Sequence, residues 1–191
     1  MRKQIKINNI VIIVVVMITL IITLFYIQSE DIKTEQDFLE KYDLLGLSTE
    51  DMVTKLDYIT NEDRGFKASI TSTNLRISEN GVEVVYEIPD DKFYLSFAPY
   101  ILSTHPCATH SLSSCSSELK NEIFNITIND ENGNILFSKE MKSMNNGFIG
   151  IWLPRDFKGI LKVDYKEMSA EAEISTFIND NTCLTEGLIL N

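Results

Sequence analysis

A chain of 191 residues with 28 Asp and Glu against 17 Lys and Arg, and a formal net charge of −11, lacks the basic footprint a phosphate backbone needs, which excludes nucleic acid as a partner. Three of the basic residues, Arg2, Lys3 and Lys6, come first, and the 14 that follow face all 28 acids, which are spread along the chain rather than gathered in a tail. That describes a solvated, cation-attracting surface on about one ordinary domain.

From Ile10 to Ile27 the chain runs for 18 residues without a charge, dominated by Ile, Val and Leu. At about 1.5 Å per residue this makes roughly 27 Å of helix, enough to cross the hydrocarbon of a bilayer. The basic residues precede it and Glu30 follows it, an order that leaves residues 30–191 outside the cytoplasm. Ile27-Gln28-Ser29 is a poor signal-peptidase site, and the run exceeds a typical signal h-region. The expectation is an uncleaved signal anchor over 1–29, a single transmembrane helix in the cell membrane. Cleavage, giving a secreted or periplasmic protein, is the alternative.

Residues 30–64 predict a small helical portion. Phe38, Leu39, Tyr42 and Leu45 recur at helical spacing, as do Met52, Leu56 and Ile59. Thr34-x-x-Asp37 and Ser48-x-x-Asp51 look like capping boxes, and Gly46 is placed to end the first helix. Helices of about ten residues do not stand alone in water. Their apolar faces need the following domain or a second copy, as in a homodimer.

From Lys67 the apolar period changes to two. Ile70, Leu75 to Ile77, Val82 to Ile88, Phe93 to Phe97, Ile123 to Ile128, Ile135 to Phe137, Phe148 to Ile151, Ile160 to Tyr165 and Ala172 to Ile174 read as strands. Asn80-Gly81 and Asn132-Gly133 supply hairpin turns. The expected fold is mainly β (α+β): an antiparallel β-sandwich-like domain over 65–191 behind the helical portion and the transmembrane helix. A long irregular stretch, 99–120, interrupts the strands, and such loops on a rigid sheet are where binding groups sit.

That stretch holds both histidines, His105 and His110, and two of the three cysteines, Cys107 and Cys115; the third is Cys183. Soft thiolates and imidazoles suit Cu(I) rather than Mg²⁺ or Ca²⁺. Other readings stay open at this point: a disulfide with one thiol left over, or inert buried thiols. A helical turn over 116–119 would hold Cys115 at a helix start. Cys107-x-x-His110 favours His110 over His105 as a ligand. Met141-x-x-Met144 has thioether-motif spacing but is a single isolated pair. A Cys–His hydrolase pair lacks a third orienting group and an oxyanion-hole motif.

The run His105-Pro106-Cys107-Ala108-Thr109-His110-Ser111-Leu112-Ser113-Ser114-Cys115 resembles the cysteine loop of the CueP-like periplasmic copper-binding and copper-resistance proteins. Phe93 to Tyr100, Asn146 to Asp156 and Thr182 to Thr185 resemble the family's flanking segments, and the likeness extends from about Phe38 to Leu190. The resemblance implies that Cys107, Cys115 and Cys183 hold copper together, and that the protein helps convert Cu(II) to Cu(I) for copper tolerance. His105 and His110 match the family's histidines by position, as candidate ligands or entry groups. By the same resemblance the recipient would be an exported copper enzyme such as a superoxide dismutase. This reading makes the chain more a metal-binding protein than an enzyme, with cysteine-dependent cupric reduction as the activity it would carry. Two rivals use the same residues: a structural Cys₃His zinc module, and a thiol–disulfide redox partner with a Cys107–Cys115 disulfide and Cys183 as the resolving thiol.

Overall fold

The structure is a computed structural model that describes residues 2–58 and 65–191, with the side chains of 2–11 and 27–34 outside the description. The chain divides into two compact units, Met1–Gly46 and Leu47–Asn191.

The first unit is built on α1, Arg2–Lys41. The helix runs straight through Thr34, so the expected start there does not exist: a capping side chain serves the orphan N–H groups of a helix end, and Thr34 lies inside a running helix. Asp43, at φ 53°, turns the chain out, and the Leu44 N–H bonds back to the Leu39 carbonyl at 2.7 Å. This is the 6→1 bond of a Schellman ending, so the stop falls at Asp43, before the expected Gly46. The side chains from Ile12 to Phe25 are largely exposed along this helix. Among the described residues no helix is long and apolar enough to cross a membrane, so the anchor expected over 1–29 is not supported. Ile10, Val11 and Ile27, which complete the uncharged run, have side chains outside the described residues.

The second unit opens with α2, Thr49–Tyr58. Here the N-cap holds: Ser48 Oγ accepts the Asp51 N–H at 3.2 Å, while its hydroxyl donates to the Asp51 carboxylate at 2.7 Å in place of the reciprocal backbone bond of a full capping box. Met52, Val53, Leu56 and Asp57 are buried on one stripe, while the expected Ile59 lies outside the described residues.

The strands are β1 Phe66–Ile70, β2 Asn74–Glu79, β3 Val82–Glu87, β4 Lys92–Phe97, β5 His110–Ser111, β6 Ile123–Asp130, β7 Ile135–Lys142, β8 Ile149–Pro154, β9 Lys158–Tyr165, β10 Met168–Ser175 and β11 Cys183–Leu184. They form three sheets, ordered β3-β2-β1-β5, β10-β9-β6-β7 and β11-β4-β8. Among the described residues the strands pair antiparallel except β11 with β4, which is parallel, as is an isolated bridge between Tyr100 and Ile189; both depart from the expected antiparallel pattern. Asn80 and Gly81 both take positive φ, 50° and 87°, as a two-residue turn between β2 and β3 demands. At the β6–β7 turn only Gly133 is left-handed, and Asp130 Oδ1 instead gathers the N–H groups of Asn132 and Asn134.

One core joins Phe93, Leu95 and Phe97 of β4 and the inward residues of β8 to those of β6, β9 and β10, so two of the sheets pack as a sandwich while β3-β2-β1-β5 contributes no described residue to this core. β4 is buried on both faces. Its odd residues feed the sandwich core, while Tyr94 and Ser96 point the other way, Tyr94 to Asp57 of α2 and Ser96 to His110 of the loop that carries the cysteines.

Candidate metal centre

A short C-terminal segment ties the 99–120 loop to the sheets. Thr182 Oγ1 accepts the His110 N–H at 3.1 Å and donates to the Ile70 carbonyl at 2.6 Å. The Cys183 N–H bonds to the Ala108 carbonyl at 3.1 Å, and Thr185 Oγ1 donates to the His105 carbonyl at 2.6 Å. Thr182 also offers its carbonyl to the Ser96 N–H, which continues into the parallel β11–β4 pairing. The loop is further pinned where His110 and Ser111 pair with β1 as β5, and where Glu118 accepts the N–H groups of Ile101 and Leu102. An expected irregular stretch is thus held by backbone at its middle.

The three cysteines meet at this clamp. Cys107 and Cys183 form a disulfide with their Cα atoms 5.4 Å apart, and Cys115 is the free thiol, its Sγ 3.7 Å from Cys107 Sγ. The three sulfurs are therefore not three thiolates in this state. No helical turn forms over 116–119; Cys115 instead follows the turn closed by its own N–H on the Ser111 carbonyl, and its sulfur accepts the Ser111 N–H at 3.4 Å. Cys183 packs with Ala98 and Phe148, and Cys107, Cys115 and Met144 lie against that cluster. Met141 packs on the sandwich core instead, so the two methionines of the sequence pair diverge.

Two donor sets converge. His105, Cys107 and Cys115 offer ligand atoms within 4.8 Å of one another, as do His110, Cys115 and Cys183. The short spacing of Cys107-x-x-His110 thus does not decide the grouping: the buried imidazole falls in with Cys115 and the remote Cys183, and the exposed His105 with Cys107.

His110 is completely buried, and sequence reasoning missed what holds it. Its Nε2 lies 2.9 Å from Asp57 Oδ1 and 3.1 Å from Ser96 Oγ. Asp57, equally buried, also accepts from Tyr94 Oη at 2.6 Å and from Asn146 Nδ2 at 3.2 Å. Gly150, opposite Ser96 in the β4–β8 pairing, makes the room: a Cβ there would stand 1.8 Å from Tyr94 Oη. The one sequence signal for Asp57 was its position four residues after Val53, on the buried stripe of α2.

Burial, the largest single influence, drives the imidazole toward its neutral form. The Asp57 charge and hydrogen bond, with a contribution from Cys115, outweigh it and raise the His110 pKa from 6.5 to about 9. Burial and Asp57 together push the Tyr94 phenol well above its ordinary range, so it stays a donor. With Nε2 committed to Asp57 and Ser96, the remaining nitrogen, Nδ1, is buried and meets no nitrogen or oxygen partner, and the Cys115 sulfur is the other side chain that bears on the ring. A carboxylate on one imidazole nitrogen and an unpartnered second nitrogen beside sulfur is the arrangement of a metal-binding histidine. Soft sulfur with imidazole fits copper and accommodates zinc.

No curated protein sequence matches the chain. The solved structure titled "Crystal Structure of S.CueP" is similar over 82% of this chain and 97% of that one, with 42% identity and a TM-score of 0.79. The family described as periplasmic copper-binding protein CueP matches residues 51–187, which include Asp57, both histidines and all three cysteines. The chain belongs to the CueP family of periplasmic copper-binding proteins.

Proposed function

We propose that the reduced protein binds copper outside the cytoplasm as Cu(I), through the thiolates of Cys107, Cys115 and Cys183 with His110 Nδ1, and that the same thiols alternatively reduce Cu(II), giving up that site as they oxidise. The observation that carries this reading is the buried, unpartnered His110 Nδ1 in one donor set with Cys115 and Cys183. The reduction balances on the residues present. Two Cu(II) ions each take one electron, the Cys107 and Cys183 thiols lose two protons, and one disulfide forms, the bridge this structure contains. His105, exposed beside Cys107 and Cys115, is the group an arriving ion meets first. Loss of the bridge's two thiols removes two of the soft donors, so oxidation releases Cu(I) to a recipient. An exported copper enzyme such as a superoxide dismutase is the proposed class.

Membrane tethering rests on the uncharged run Ile10–Ile27, where Thr19 and Thr23 turn their hydroxyls onto carbonyls of their own helix. Recovery of the chain in the membrane fraction after a carbonate wash tests it; release with the soluble proteins rejects it.

The test of function is to add Cu(II) anaerobically to fully reduced, metal-free protein. The expected result is one Cu(I) trapped per thiol lost, with a Cys107–Cys183 bridge at the end. Thiols that stay reduced while Cu(II) persists reject the reductase reading, and tight Zn²⁺ retention with copper surrendered favours the structural zinc module instead.

A further inference from the structure

The Cys107–Cys183 bridge and the free Cys115 form a triad of sulfurs in which the free thiol lies against the bridge. Cys115 Sγ stands 3.7 Å from Cys107 Sγ, and of that pair only Cys115 has a proton to lose, since Cys107 is already bonded to Cys183. A disulfide bond requires about 2.05 Å. Closing from 3.7 Å asks for a side-chain rotation at Cys115, which sits in an irregular turn after β5 rather than in a strand. The attacked sulfur is also on the outer side of the bridge: Cys107 is half-buried, as is Cys115, whereas Cys183 is 2% exposed.

We propose that the oxidised, metal-free protein is an internal thiol–disulfide relay, in which Cys115 attacks the Cys107 sulfur and displaces Cys183, moving the bridge from Cys107–Cys183 to Cys107–Cys115. The step is balanced without an oxidant or reductant. The Cys115–Cys107 bond forms, the Cys107–Cys183 bond breaks with its electron pair going to Cys183, and the proton lost at Cys115 ends on Cys183. Attack at Cys107 is favoured because it is the sulfur that Cys115 touches. The exchange has two consequences. It carries the oxidised pair from a bridge with one buried end to a bridge between two half-buried residues, where an external dithiol reaches it. It also leaves a free thiol beside His110 in both isomers, because Cys115 and Cys183 belong to the same donor set as that imidazole. The relay does not depend on copper, and its test contains none.

The experiment uses the full chain, stripped of metal and oxidised to one bridge per molecule. After equilibration near neutral pH, the protein is quenched and unfolded in acid, where exchange stops, labelled there with a maleimide, and digested without reduction to map the bridge and the label. The expected result is two populations: Cys107–Cys183 with label on Cys115, and Cys107–Cys115 with label on Cys183, in a ratio unchanged when protein concentration is varied tenfold. A Cys183→Ser chain is expected to oxidise to Cys107–Cys115, and a Cys115→Ser chain to keep its bridge and take no label. Finding Cys107–Cys183 in every wild-type molecule, a label on Cys107, or a ratio that follows protein concentration overturns the relay. Failure of Cys183→Ser to close its remaining pair overturns it as well.

Discussion

Asp57 Oδ1 and His110 Nε2 lie 2.9 Å apart, 53 residues apart in sequence, with neither side chain exposed to solvent. Everything else at the centre is arranged around this contact: Tyr94 and Asn146 satisfy the carboxylate, and the committed Nε2 leaves Nδ1 for the sulfur side. A buried pair of this kind is costly to break from one side, because the survivor is left charged and unsolvated. Asp57→Ala should therefore lose about 3–5 kcal/mol of stability, read from urea unfolding. Asp57→Asn, which keeps an acceptor for Tyr94, should lose less. Equal and small losses in both would show that the contact does not organise the centre.

The same pair predicts a pH signature in the metal-free protein. The His110 pKa is about 9 when folded, above its ordinary 6.5, so the folded state holds the proton more tightly. Its contribution is fully present below about 6.5 and is lost as pH rises through about 9. The stability difference between wild type and His110→Gln should narrow across that window in urea unfolding. A difference that stays flat, or that widens, contradicts the assignment.

Two glycines separate a local role from a site role. Gly133 has φ +80° with open space around it, so Gly133→Ala should cost about 1–2 kcal/mol in backbone strain and leave copper affinity unchanged. Gly150 has no left-handed φ, but its missing Cβ is where Tyr94 Oη sits. Gly150→Ala should cost about 1–3 kcal/mol through overpacking and also weaken copper binding by displacing the Tyr94 support of Asp57. Equal copper affinities for the two variants would detach the Tyr94–Asp57 support from the site.

Local signals were the legible ones. Asn80-Gly81 marks a turn that the backbone adopts at those two residues, and Ser48-x-x-Asp51 marks a cap that forms as written. Thr34-x-x-Asp37 carries the same kind of pattern and fails, because nothing within four residues tells a helix start from a helix already running. The histidines and cysteines were legible as a set of soft donor side chains, but not in their grouping. Cys183 reaches the loop only because Thr182 and Thr185 bond to loop residues and β11 pairs with β4, contacts that span most of the unit. Neither Asp57 nor Asn146 stands out in the sequence: the fold brings Asp57 onto the imidazole from 53 positions away in the chain, and Asn146 onto the Asp57 carboxylate.

The most direct measurement is an anaerobic Cu(I) titration of the reduced protein against a competing chelator, beside Cys183→Ser and the oxidised wild type. One Cu(I) per chain should be held tightly by the reduced protein. Affinity should fall at least about tenfold, or roughly 1.4 kcal/mol, both in the variant and when the Cys107–Cys183 bridge is closed. Indistinguishable affinities across the three samples would contradict a copper site closed by Cys183.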